Sequence, residues 1–156
     1  MKERTYIAPN ATIVGDVRLE KDVNIWYGAV LRGDSGTIAV KEGSNIQENC
    51  VLHEKTTIGK FCTVGHGAIV HGCTIGDGCL IGMGAILLDG AVLGDGCLVG
   101  AGALVTGKTR AEAGSVLLGS PAKVVKTLTA EEIRAHYESA EHYIELAQKA
   151  FGGKEG

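Results

Sequence analysis

An aliphatic residue recurs at every sixth position through the middle of the chain: Ile46, Leu52, Ile58, Val64 and Val70. After one interval of five the count resumes at Ile75, Ile81, Leu87, Leu93, Val99 and Val105, and it extends back through Ile7, Ile13, Leu19, Ile25 and Leu31. The fifth place of each unit is small, as at Cys50, Thr56, Cys62, Ala68, Thr74, Cys79, Ala85, Ala91, Cys97 and Ala103. Helices repeat near 3.6 residues and half-buried strands near 2, so neither accounts for this period. A triangular coil with six residues per face does, which makes the chain an all-β solenoid, a parallel β-helix built from hexapeptide repeats.

Between Leu31 and Val40 the interval is nine, which places three extra residues near Asp34-Ser35-Gly36, in a turn leaving the coil. Stacked parallel strands are about 4.8 Å apart, so roughly six laps between Ile7 and Gly119 predict a prism about 30 Å tall. Residues 1–120 are assigned to this coil and 121–156 to a linker, helix and tail. Pro121 lacks a ladder donor and marks the end of the coil. Thr129-Ala130-Glu131-Glu132 reads as a capping box. Ile133, Tyr137, Ala140, Ile144, Ala147 and Phe151 then form one helical stripe, expected to bury against the prism of its own or a neighbouring subunit and to cap the coil. His136 and His142 fall off the stripe and are read as surface residues, and Gly152–Gly156 as a frayed tail.

Composition changes this picture little. Aromatics are only 4 % of the 156 residues against 24 glycines, fitting a narrow aliphatic core rather than a ring-filled sandwich. A net charge of −3 provides no electrostatic footprint for nucleic acid. No apolar run reaches the length of about 18 needed to span a membrane. The opening Met1-Lys2-Glu3-Arg4 has no apolar signal core, so a cytoplasmic location is expected. Cys50, Cys62, Cys79 and Cys97 occupy the small inward place and there is no C-x-x-C pair, so they are expected as reduced, packed thiols.

The chemistry lies in the histidines. His53 and His71 hold the second place of their units, one lap apart, so their side chains stack on one face and can reach one cation. His66 points off another side and cannot join them easily within one chain. A homotrimer would bring the His66 side of one prism against the His53/His71 side of the next. Three neutral imidazoles leave a fourth position open, as in catalytic zinc sites, where the bound water has a pKa near 7. Arg32 shares the second place one lap below His53, with Asp34 close enough to fix its guanidinium for a small anion, or simply to form an interface salt bridge. Gln47 lies one face before His53, on the His66 side, where it either orients a metal-bound hydroxide or bonds a turn.

R-G-D at Arg32–Asp34, N-I-Q-E-N at Asn45–Asn49, V-L-H ending at His53 and G-H-G-A-I-V-H-G-C at Gly65–Cys73 resemble the γ-class carbonic anhydrases. Ile81–Ala85 and G-S-P-A-K at Gly119–Lys123 extend the likeness, although hexapeptide acyltransferases share the last motif. The resemblance implies a left-handed β-helix, a homotrimer and CO2 or bicarbonate as substrate. It implies His53, His66 and His71 as ligands to zinc, with iron or cobalt in some members. It further implies Arg32 with Asp34 as an interface pair, Gln47 on the metal-bound water, and Asn45 at a substrate-site position. Glu48 stands where the family usually has Asp, and Tyr137 corresponds to a helix tyrosine near the pocket. The acidic proton-shuttle loop of the best-studied type is missing, so slow turnover or another substrate is expected. Two other readings stand beside CO2 hydration: a CoA-dependent acyltransferase or thioesterase on the same scaffold, and a non-catalytic trimer tied by metal.

Overall fold

The structure is a computed structural model that describes residues 4–152. It is a left-handed parallel β-helix of about six turns followed by one α-helix. The first face stacks Tyr6–Ile7, Asn24–Ile25, Asn45–Ile46, Thr63–Val64, Leu80–Ile81, Leu98–Val99 and Ser115–Gly119. The second carries Val51–His53, Ile69–His71, Ile86–Leu87 and Leu104–Val105, and the third Thr56–Ile58, Thr74–Ile75, Val92–Leu93 and Arg110–Ala111. Two long strands, Thr12–Leu19 and Val30–Val40, turn the corner between second and third faces.

The sixfold aliphatics from Ile25 onward form the core, each stacked on its equivalent one lap away, as Leu31 on Leu52 and Leu52 on Val70. Ile13 and Leu19 in the first lap are only partly buried, and Ile7 is the most open. It is 41 % exposed, because no lap lies beneath the first one to cover it. The short interval also shifts one inward place: Cys73 is buried and Thr74 is exposed, since losing a residue between Val70 and Ile75 advances the corner by one.

The three extra residues lie within the strand Val30–Val40 but leave its ladder as a bulge: Gly15 pairs with Gly33 and Val17 with Ile38, so Asp16 alone faces Asp34–Thr37. Glycine permits this closeness: a Cβ on Gly33 would lie 2.4 Å from the Asp16 carbonyl oxygen, and one on Gly36 would lie 2.6 Å from the Lys55 nitrogen. The insertion is thereby pressed against the lap that carries His53.

All five cysteines are free and buried. Five thiols donate to a corner carbonyl on the next lap, among them Cys50 to Gly65 at 3.0 Å and Cys73 to Leu88 at 3.2 Å. Burial pushes the Cys50 thiol up to about 11 and that of Cys73 to about 12. Because alkylation requires thiolate, iodoacetamide at pH 8 is expected to leave both unmodified in the native protein and label them after denaturation. Peptide mass spectrometry showing native labelling at either would contradict this packing.

The C-terminal segment covers the prism in two ways. Ala122–Thr127, within the stretch expected as a linker, returns as an antiparallel strand on Ser115–Gly119 and covers the last edge of the first face. The helix Ala130–Phe151 begins at the expected capping box, with Thr129 and Glu132 bonding reciprocally. It lies along the first face of its own chain's coil rather than across the open end. Ile133 packs near Gly96, Tyr137 against Gly78, and Tyr143 and Phe151 against Trp26. His136 is buried, not a surface residue: its Nδ1 donates to the Gly78 carbonyl at 2.8 Å. A flat sheet accepts a wider helical stripe than a narrow seam does, so His136 and Tyr143 join it. Residues 153–156, most of the expected tail, and 1–3, most of the opening segment, lie outside the described residues. Among the described residues no helix is long and apolar enough to cross a membrane.

Candidate metal centre

Parallel register puts Arg32, His53 and His71 in one column at the corner between second and third faces, each directly paired with the next. Their side chains form an ordered series of hydrogen bonds whose directions follow from what each group can do. Arg32 can only donate, so its Nη2, 2.9 Å away, gives a hydrogen to His53 Nε2. His53 Nδ1 then carries the ring hydrogen and donates to His71 Nε2 at 3.3 Å. His71 Nδ1 in turn donates to the carboxylate of Asp89, which can only accept.

The separation between His53 Nδ1 and His71 Nε2 tests whether a metal ion fits. Two nitrogens each about 2.0–2.1 Å from a tetrahedral ion lie about 3.3–3.4 Å apart. The observed 3.3 Å matches, so a cation fits where one hydrogen now bridges two rings. Its entry would move the His53 hydrogen to Nε2, which would release the bond accepted from Arg32 and donate instead to Asp34 Oδ1 or Ser35 Oγ, each at 3.3 Å. Asp34 also holds Arg32 through its Nε at 3.3 Å. The bulged corner thus delivers Arg32, Asp34 and Ser35 to one imidazole.

Glu54 is the third donor within reach in the same chain, grouped with His53 and His71 within 4.8 Å. Spacing left its direction open; Ser35 Oγ fixes it by donating to Glu54 Oε1 at 2.9 Å. His66 is not part of this group. It sits at the corner between first and second faces, where its Nδ1 donates to Glu48 Oε1 at 2.9 Å and leaves Nε2 for another partner.

Gln47 shares the His66 corner and is buried. Its Nε2 donates to Asn45 Oδ1 at 3.1 Å, while Asn45 donates to Thr63 Oγ1 at 2.9 Å. Asn45 is fully buried, so it acts through Gln47 by fixing that amide. Tyr137 is not near these groups: it stacks on Phe61, with ring centroids 5.9 Å apart, at the corner between third and first faces. The helix crosses the first face obliquely, so six residues later, about 9 Å along its axis, Tyr143 reaches Gln47 and Glu48. Burial first, then the Glu48 charge, raises the Tyr143 pKa above the usual phenol value.

Asp89 and Tyr143 were not found by sequence reasoning. A signal existed for Asp89, because carboxylate and imidazole are 18 residues apart in both the His71–Asp89 and Glu48–His66 pairs. Tyr143 had none, since its placement depends on the angle at which the helix crosses the sheet.

Fold and site together define a hexapeptide-repeat β-helix with a histidine–carboxylate centre on one of its corners. A sequence model described as bacterial transferase hexapeptide (six repeats) matches residues 72–107. Gamma carbonic anhydrase 2, mitochondrial, from Arabidopsis thaliana is 46 % identical over 92 % of this chain and 55 % of its own length. The chain thus spans about half of that relative. A probable carbonic anhydrase from Methanocaldococcus jannaschii is 44 % identical over 91 % of this chain and 92 % of its own. The crystal structure of a hexapeptide transferase family protein from Anaplasma phagocytophilum superposes with TM-score 0.89 at 46 % identity, covering 93 % of this chain and 88 % of that one. The chain belongs to the γ-class carbonic anhydrase family.

Proposed function

We propose that the protein is a metal-dependent hydratase interconverting CO2 and bicarbonate, assembled as a homotrimer with zinc, iron or cobalt at each subunit interface. The observation that carries this reading is the pair of imidazole nitrogens 3.3 Å apart in coil register. A zinc ion held there by His53 and His71 would lower the pKa of a bound water to about 7 and so supply a nucleophile near neutral pH. The first face is covered by the helix, but the second presents an outward aliphatic column, Val30, Val51, Ile69, Ile86 and Leu104, stacked in unbroken register. Ile86 is 37 % exposed in the single chain. Such an apolar sheet face supports self-association, and three copies meeting through it would bring the His66 corner of one against the His53/His71 corner of the next.

At that junction Arg32, held by Asp34, binds a bicarbonate oxygen. Gln47, held by Asn45, orients the reacting oxygen from the other side. Hydration releases a proton, and Glu54, grouped with His53 and His71 and not tied to Arg32 as Asp34 is, is the carboxylate to receive it. With a single short corner in place of an acidic loop, slow turnover is expected. The acyltransferase reading needs one histidine and leaves the registered pair and its carboxylates unexplained.

The test combines metal content, oligomeric state and stopped-flow CO2 hydration on one preparation. Chelation is expected to remove activity and metal re-addition to restore it. A fully loaded trimer with no hydration above background would instead support the scaffold, and acetyl-CoA turnover without metal would support an acyltransferase.

A further inference from the structure

We propose that Asp89 is a positioning residue for the metal centre: its carboxylate holds the His71 ring in one tautomer and one orientation, with Nε2 unprotonated and aimed at the cation. The inference rests on the metal reading above and adds to it a residue outside the expected ligand set. Its first support is the hydrogen bond itself. A carboxylate accepts only, so His71 Nδ1 must carry the hydrogen and Nε2 must keep its lone pair. Of the two nitrogens, Nε2 is the one that faces His53.

The second support is how the backbone brings Asp89 there. Gly72 lies between the two side chains, and a Cβ on it would come within 2.8 Å of Asp89 Oδ2. Gly72 has φ +71° and Gly90 φ +91°, values that L side chains rarely adopt. Gly90 N–H donates to the Gly72 carbonyl at 2.9 Å, tying the Asp89 corner to the His71 corner below it. From above, a Cβ on Gly107 would strike the Asp89 carbonyl oxygen at 2.2 Å, and Arg110 Nη1 donates to the Gly90 carbonyl at 2.6 Å. Three glycines and an arginine thus press one aspartate onto a single imidazole. A carboxylate so held reduces the reorganisation required of the ring when a cation binds.

The experiment compares wild type with Asp89→Asn, Asp89→Ala and Asp89→Glu as full-length proteins. Imidazole 15N NMR of the metal-free protein reads the His71 tautomer, and chelator competition reads Co2+ affinity. Wild type is expected to show Nδ1–H at His71, and Asp89→Asn a mixture. Co2+ affinity is expected to fall about ten- to hundredfold in Asp89→Ala, less in Asp89→Asn, with partial recovery in Asp89→Glu. A purely structural role at the corner would lower stability in Asp89→Ala but leave tautomer and affinity unchanged in the near-isosteric Asp89→Asn, and that result would overturn the proposal. Wild type with the expected tautomer but no Co2+ uptake would overturn the metal reading and this proposal together. Normal wild-type uptake with unchanged affinity in all three variants would overturn the role of Asp89 alone.

Discussion

His66→Ala and His71→Ala are each expected to empty the metal centre and bring CO2 hydration to background, and a mixture of the two variants to recover part of it. The reason lies in where the rings sit. His71 and His53 share one corner of the prism, whereas His66 stands at the other end of the second face with its Nε2 uncommitted. If each site takes its third imidazole from a neighbouring copy, a site is intact only when the chain supplying His66 is the His71→Ala variant and the chain supplying His71 is the His66→Ala variant. Random assortment in a closed trimer restores about a quarter of the interfaces. The variants are refolded together and assayed for bound metal and activity. A His66→Ala protein that keeps its metal would show that Glu54 completes the site within one chain. Absence of recovery in the mixture, with both parents inactive, would also end the intersubunit reading.

Leu52→Ala is expected to lose about 2–5 kcal/mol of unfolding free energy, the cost of an unfilled cavity in a tightly packed core. Leu52 is fully buried between Leu31 and Val70 in the same column. In a solenoid each lap is supported only by its neighbours, so a void in the second or third lap is not shared with the far end. Against a usual total of about 5–15 kcal/mol the loss is large. The comparator is Val92→Ala on the third face, an outward position 37 % exposed, where a change within about 0.5 kcal/mol is expected. Urea denaturation of both variants, with the His53 lap monitored through metal affinity, gives the answer. Equal losses at the two positions would mean that the stacked column does not hold the fold.

Much of this was legible from residue order because the fold is local in an unusual sense. Each residue's contacts lie about one lap away, so counting eighteen places neighbours in space, as it does for His53 over His71. The same counting placed Arg32 under His53 despite the insertion, since an insertion at a corner leaves the flanking register intact. It failed where the period itself changed. Thr74 was assigned the inward place that Cys73 fills, because a shortened unit does not reveal which of its residues is missing. Spacing placed the extra residues at Asp34–Gly36 outside the regular coil, which the bulged register agrees with, but could not show that the bulge folds back against Lys55 on the next lap.

The sixfold repeat by itself determined the coil, its core and the stacking of the two histidines, since all three follow from a lap of fixed length. The capping box likewise fixed the start of the helix. Only the tertiary structure decided where that helix lies, because a stripe states which side is apolar and nothing about the angle at which it crosses a sheet. That angle buries His136 against Gly78, leaves Tyr137 at the far corner and brings Tyr143 to Gln47. The direction of each side-chain hydrogen bond was decided there too. Whether Asp89 reaches His71 depends on glycine backbones passing within van der Waals distance, a closeness set by three-dimensional packing rather than by spacing along the chain.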